Sequence, residues 1–333
     1  MLKNVSRSFY LTLAIVPHTV RAQIGLAYLF ARAADTIADT DLIERSRRLV
    51  LLKDFKAQFT ADALDWTTIR SIQSALVPHQ ASAGERTLME RLEECFQLFG
   101  TVSLEDRTRI RTLMSTLVNG MEMDLTVFPG DSVKELTALR TMEELDRYTY
   151  YVAGCVGEFW TDMVAGHVPS LRTWNVADMA QVGVRFGKGL QLTNILKDVA
   201  RDLQRGRCYI PDILLRQARL TPSDLLNIGN HHRIQPILRQ LIGVARDHLD
   251  QGWMYTLAIP RRELRLRLAC MWPILFAGQT LRRVADSDQL LDPSINIKMP
   301  KGQVYRIMAL TTLTGGCGYV GSAYWGRVRK RIA

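Results

Sequence analysis

The sequence predicts an all-α fold in a single domain covering residues 1–333. Apolar and small residues recur at three- and four-residue spacing along most of the chain, the period of one helix face. Clustered β-branched runs with hairpin dipeptides are missing, and no Gly-, Ser- or Pro-rich linker divides the chain. Hydrophobic residues at 47% and charged residues at 23% fit a soluble chain with a large core, and exclude disorder, collagen-like and disulfide-scaffold readings.

Taken in order, helical patterning covers 23–39, where Ile24, Tyr28 and Ala31 fall on one side, then 86–99, 104–128 and 142–164. It resumes over 176–203, 234–257 and 264–284. Breaks fall on turn chemistry: Val77-Pro78, Phe128-Pro129-Gly130-Asp131, 166–169, and Leu220-Thr221-Pro222-Ser223-Asp224. In the last of these, Thr221 is placed to cap a helix that begins at Pro222. Residues 304–325 come nearest to a membrane-length apolar run. Arg306 and the glycines at 315, 316, 318 and 321 interrupt it, so it reads as a buried final helix followed by a glycine-rich tail.

Lys and Arg number 43 against 33 Asp and Glu, a net charge of +10. That excess points to an anionic partner: nucleic acid, an acidic membrane surface or a phosphorylated substrate. Nucleic acid is not expected, since no long basic block or binding motif is present; the tail 327–331 is basic but short. That tail, with Tyr324 and Trp325 expected to be exposed, raises peripheral membrane association. The five cysteines, Cys95, Cys155, Cys208, Cys270 and Cys317, form no C-x-x-C pair, so neither a disulfide framework nor a zinc site is expected. The first residues lack the pattern of a signal peptide, and a cytoplasmic location follows as the expectation, with contact at the inner face of the membrane.

Two short segments carry chemistry. In Arg32-Ala33-Ala34-Asp35-Thr36-Ile37-Ala38-Asp39, the two aspartates are four apart and project from one helix face. Like charges at that spacing destabilise a helix by roughly 0.2–0.5 kcal/mol unless cations offset them. Asp198 and Asp202 repeat the spacing after an apolar stretch and beside Lys197 and Arg201. Either both are ion-paired faces, or the pairs face a common cavity and hold Mg²⁺, whose hard oxygen shell substrate phosphates complete. Arg7, Arg32, Lys197, Arg201 and Arg207 are cations that could neutralise a diphosphate.

Both segments resemble the paired aspartate motifs of the squalene/phytoene synthase family, the head-to-head prenyl synthases. So do Ser6-Arg7-Ser8-Phe9-Tyr10, Tyr28-Leu29-Phe30-Ala31-Arg32, Tyr151-Val152-Ala153-Gly154 and Arg207-Cys208-Tyr209-Ile210-Pro211, in family order. The resemblance implies an isoprenoid synthase helical bundle around a central cavity. It implies that two farnesyl diphosphates condense through presqualene diphosphate, with Mg²⁺ assisting ionisation. Asp35, Asp39, Asp198 and Asp202 would hold the metal ions, and Tyr151 would serve the first half-reaction. Ser6, Arg7, Ser8, Phe9, Tyr28, Arg32, Gln191, Asn194, Lys197 and Arg207 would bind substrate. Gly154 and Gly157 are expected to allow close helix contact, and Asp124 to face either the cavity or an ordinary helix surface.

The branch of the family depends on later segments. Ala269-Cys270-Met271-Trp272-Pro273-Ile274-Leu275 and Lys298-Met299-Pro300-Lys301-Gly302-Gln303 resemble squalene synthase segments, the second associated with NADPH through Lys298 and Lys301. Squalene synthase is therefore the expectation, ahead of dehydrosqualene- or phytoene-type synthases and of enzymes that stop at presqualene diphosphate. A helical nucleic-acid- or membrane-surface-binding protein without catalysis is the distant alternative. Two departures stand out: Lys197 where the family often has Arg, and Pro300 where Arg is usual in eukaryotic members.

Overall fold

The computed structural model describes residues 9–316 and 318–332, with the side chains of 9–11 left aside. Ser6, Arg7, Ser8 and Cys317 lie outside the described residues, as does the side chain of Phe9. The fold is all-α, as the periodicity predicts, with one two-stranded ribbon of two residues per strand among the described residues. No helix among the described residues is long and apolar enough to cross a membrane. Contacts divide the chain into two compact units, 1–125 with 159–174, and 126–158 with 175–333.

The first unit holds α1 (Phe9–Ile15), α2 (His18–Asp39), α3 (Arg45–Thr60), α4 (Trp66–Leu76), α5 (Ala83–Glu90), α6 (Leu92–Thr101) and most of α7 (Leu104–Val127). The patterning over 86–99 spans α5 and α6, which break at Arg91. Its core is aromatic. Phe30 of α2 lies 4.9 Å from Phe59 of α3 and 4.8 Å from Phe96 of α6, centroid to centroid, and Phe55 and Phe59 meet edge to face at 5.2 Å. Such pairs add about 0.5–1.5 kcal/mol each beyond the area they bury. They lock α2 against α3 and α6. Buried Arg48 of α3 donates from Nη1 to the Ala38 carbonyl at 2.9 Å, satisfying one of the open carbonyls at the end of α2.

Asp106, 1% exposed, ties α7 to two other segments of this unit. It accepts hydrogen bonds from Gln23 at 3.2 Å and Arg109 at 2.6 Å, and its oxygens lie 2.9 Å from His167 Nε2. Burial works against its charge, but the hydrogen bonds from His167 and Arg109 outweigh it and hold the carboxyl below its ordinary value. The folded value is the depressed one, so the stabilisation is complete above about pH 4 and is lost as pH falls through the folded value. Asp106→Asn is expected to cost roughly 1–3 kcal/mol at neutral pH and to flatten the acid limb of stability. Urea melts at about pH 6 and at lower pH check this; parallel curves for wild type and variant would contradict it.

The second unit holds α8 (Met142–Thr149), the start of α9 (Cys155–His167), α10 (Val176–Gln204), α11 (Asp212–Gln217), α12 (His231–Ala258), α13 (Leu264–Ala285), α14 (Lys301–Leu313) and α15 (Gly318–Arg329). The continuous helix expected over 142–164 is interrupted: residues Tyr150–Gly154 form a π-helical turn between α8 and α9. Close backbone packing adjoins this turn. A Cβ on Gly157 would sit 2.0 Å from the Gly183 carbonyl oxygen, and one on Gly187 would sit 2.2 Å from that of Ala153. Backbone therefore meets backbone here, and Gly154 and Gly157 do allow the close helix contact expected of them. Thr221 caps as expected, by a capping box with Asp224, but the helix at Pro222 is a short 3₁₀ segment, Pro222–Leu226.

The last segment departs from expectation. Residues 304–325 do not form one buried helix and a tail; they lie in α14 and α15, separated around Gly315 and Gly316 at φ +60° and +61°. Trp325, expected to be exposed, is 4% exposed and donates to Asp250 Oδ1 at 2.9 Å. Tyr324 is partly buried, and its hydroxyl accepts from Gln279 at 2.9 Å. Small residues explain the difference: Gly321 and Gly278 approach Trp253 and Trp325 too closely to carry side chains.

Candidate functional site

Helix α2 is buried on most of its surface over 24–38, yet Tyr28, Arg32, Asp35 and Asp39 are not. Their spacings of four, three and four place all four along one stripe. A helix otherwise sunk in the core thus keeps one polar line open. Arg32 pairs with Glu85 of α5 and lies 3.6 Å from Asp35 Oδ2, while its Nε is buried and makes no hydrogen bond. Glu85 was not legible as a site residue, because nothing in its local sequence ties it to Arg32. Asp35 retains 47% side-chain exposure but stands among crowded protein atoms. Burial and then the Asp39 charge push its carboxyl up to about 7, against the pull of Arg32.

Helix α10 repeats the construction. Gln191, Asn194, Asp198 and Asp202, spaced three, four and four, form an open stripe between buried residues such as Leu192, Leu196 and Val199. Asp198 is held by the neighbouring Lys197 ammonium and by Arg201 at 3.3 Å. It lines a shallow recess together with Lys197, Arg201 and Ile295-Asn296-Ile297. Asp202 and Arg207 line another shallow recess, whose walls include Ile195, Val199 and Tyr209. The ribbon sets Arg207: β1 (Thr137–Ala138) pairs in parallel with β2 (Arg207–Cys208), and Arg207 lies 3.5 Å from Asp131.

Tyr151 lies in the π turn and is half-buried, its ring centroid 5.8 Å from that of Tyr150. The Cys155 thiol donates to the Tyr151 carbonyl at 3.0 Å. Tyr150 donates its hydroxyl to Glu158 at 3.0 Å, and Lys188 of α10 sits 5.8 Å from its ring. Lys188 in turn bonds Asp146 at 2.7 Å, so polar contacts bridge the turn to α8 and α10. Asp124, expected to face a cavity or an open helix surface, is buried at 9% exposure. Lys298 and Lys301 are exposed, follow directly on the segment lining the Asp198 recess, and are in no ion pair among the described residues.

The donor chemistry fits Mg²⁺. Among the described residues no cluster of three or more His, Cys, Asp or Glu is placed to hold a metal. Each stripe offers two carboxylates, the number a cation that keeps waters and takes phosphate oxygens requires. A carboxyl raised to about 7 also gains when a divalent cation arrives to stabilise its anion. The unpaired Lys298 and Lys301 are suited to phosphates of a nicotinamide cofactor; no Rossmann strand–turn–helix is present among the described residues.

The squalene/phytoene synthase family profile matches residues 2–303. A bifunctional lycopene cyclase/phytoene synthase of Pyrenophora tritici-repentis is 31% identical over 248 residues, covering 73% of this chain. The chain spans only 39% of that protein's length. A squalene synthase of Eremothecium gossypii is 24% identical over 335 residues, covering all of this chain and 71% of its own. A solved structure of TcSQS with a bound ligand superposes with a TM-score of 0.79 at 20% identity, covering 99% of this chain and 89% of that one.

Proposed function

Because the chain belongs to the squalene/phytoene synthase family, we propose that this prenyltransferase-type synthase is a squalene synthase that condenses two farnesyl diphosphates head to head. The observation that carries this reading is the pair of open stripes, Tyr28-Arg32-Asp35-Asp39 and Gln191-Asn194-Asp198-Asp202, on otherwise buried helix faces. Bound to these aspartates, Mg²⁺ supplies Lewis-acid stabilisation of the departing diphosphate. Arg32, Lys197 and Arg207 neutralise diphosphate oxygens, with Arg7, Ser6, Ser8 and Phe9 from the preceding segment; Gln191 and Asn194 donate amide hydrogens to them. Tyr151 offers its ring face to the allylic cation and its hydroxyl to the proton lost on cyclopropane closure to presqualene diphosphate. The apolar side chains beside each stripe exclude water that would quench the cation.

Lys298 and Lys301 would hold the phosphates of NADPH, which would supply the hydride for the reductive step. The whole chain acts as one catalytic domain, in the cytoplasm at the inner face of a membrane that takes up the water-insoluble product. A dehydrosqualene- or phytoene-type synthase is the second reading, favoured by the 31% identity to a phytoene synthase-containing protein. Farnesyl diphosphate with Mg²⁺ is expected to give presqualene diphosphate without NADPH and squalene with it. Dehydrosqualene or hydroxysqualene as the only product in the presence of NADPH would overturn the squalene reading.

A further inference from the structure

Residues 293–333 contain seven Lys and Arg and no Asp or Glu, so they supply seven of the ten net positive charges. The inner faces of α14 and α15 in this segment are pinned. Thr311 accepts from Trp272 at 2.9 Å, Gln303 accepts from Arg283 at 2.8 Å, and Ser322 accepts from Trp253 at 3.1 Å. Arg329 bonds Asp250 at 2.7 Å, and Trp253 and Trp325 stack at 6.2 Å.

The outer faces are of another kind. On α14, Tyr305, Ala309 and Leu313 follow one another at four-residue spacing, with Lys301 and Arg306 beside them. On α15, Tyr319, Ala323, Arg327 and Lys330 fall at spacings of four, four and three. Leu313 at 86% and Tyr319 at 81% exposure are the two most exposed large hydrophobic side chains among the described residues, and Tyr305 reaches 61%. Each ridge is therefore apolar with cationic flanks and no acid.

We propose that the outer faces of α14 and α15 are a docking surface for an anionic lipid bilayer. Tyr305, Leu313 and Tyr319 enter the headgroup layer, where amphipathic rings and aliphatic side chains bury apolar area. Arg306, Arg327 and Lys330 meet lipid phosphates. Charge selects this occupant over a second copy of the chain, because two such faces brought together would oppose cation to cation without a carboxylate between them. Neither helix is apolar enough to insert across the bilayer, so the contact is an interfacial one. The surface deepens the peripheral location proposed above and is read by binding without turnover, so its failure leaves the catalytic reading standing, and the reverse holds.

Vesicle co-sedimentation of the full chain tests it, with phosphatidylcholine alone against vesicles carrying about 30 mol% phosphatidylserine. Binding is expected only to the anionic vesicles, weakening at least about tenfold as salt rises from roughly 0.05 to 0.5 M. Leu313→Glu with Tyr319→Glu is expected to weaken it at least about tenfold with an unchanged thermal melt, since both side chains stand in solvent. Arg327→Ala with Lys330→Ala should lower affinity for anionic vesicles as well. Absence of binding, equal binding to neutral vesicles, or wild-type binding by both double variants would overturn the proposal. So would a wild-type dimer in sedimentation velocity that the Leu313→Glu change dissociates, since a second copy would then own the face.

Discussion

Asp35→Asn and Asp198→Asn are each expected to lower turnover of farnesyl diphosphate by at least about 10³-fold while leaving the helical fold in place. The amide is nearly isosteric with the carboxylate, but it carries no charge and binds a hard divalent cation poorly. Neither residue is buried in the core, so folding loses little. At Asp35 the change even relieves repulsion from Asp39, and its own carboxyl is already raised by the protein atoms crowded around it. Thermal stability of Asp35→Asn should therefore match or slightly exceed that of the wild type. Asp198→Asn is different, since it strips Lys197 and Arg201 of their shared partner and should cost a few tenths of a kcal/mol. Steady-state release of inorganic diphosphate measures the effect. Turnover within tenfold of wild type in either variant would remove that stripe from the catalytic account.

The second large effect concerns helix contact rather than chemistry. Gly157→Ala places a Cβ 2.0 Å from the Gly183 oxygen and 2.2 Å from its carbonyl carbon, and backbone cannot swing aside as a side chain would. The start of α9 must move off α10, at a cost of roughly 1–3 kcal/mol. Gly187→Ala meets the Ala153 carbonyl oxygen at 2.2 Å and carries the same expectation. The π turn holding Tyr151 lies directly against this contact, and a shift near 1 Å in a reacting group costs about 10²-fold in rate. Gly243→Ala is the control: a Cβ there meets nothing within 4 Å in the middle of α12. Alanine should stabilise that position by about 0.5–1 kcal/mol. Equal melting temperatures for Gly157→Ala and Gly243→Ala would contradict the close-packing account.

Much of this architecture was legible because helix periodicity is a local property. The patterning over 104–128, 176–203, 234–257 and 264–284 matches α7, α10, α12 and α13 to within a few residues. The two aspartate stripes were legible for the same reason, being four-residue spacings within one helix. What escaped depends on partners distant in sequence. Arg48, which closes the end of α2 from ten residues beyond, looks like any charged residue in a helix. Glu85, which engages Arg32 from 53 residues away, gives no local signal either. The π turn at Tyr150–Gly154 also escaped, because the helical patterning over 142–164 runs on through it. At 304–325 the sequence misled: Trp325 is buried against Trp253 beside a glycine, while Leu313 and Tyr319 carry the exposure expected of Tyr324 and Trp325.

The central claim is that both aspartate stripes grip metal and diphosphate, and Mn²⁺ titration in the presence of a non-hydrolysable thio analogue of farnesyl diphosphate tests it most directly. Electron paramagnetic resonance of free Mn²⁺ is expected to show tight, analogue-dependent uptake by the wild-type chain. Uptake should fall by at least about tenfold in Asp35→Asn and, separately, in Asp198→Asn. Uptake unchanged in both variants, or absent from the wild type with analogue present, would contradict the account.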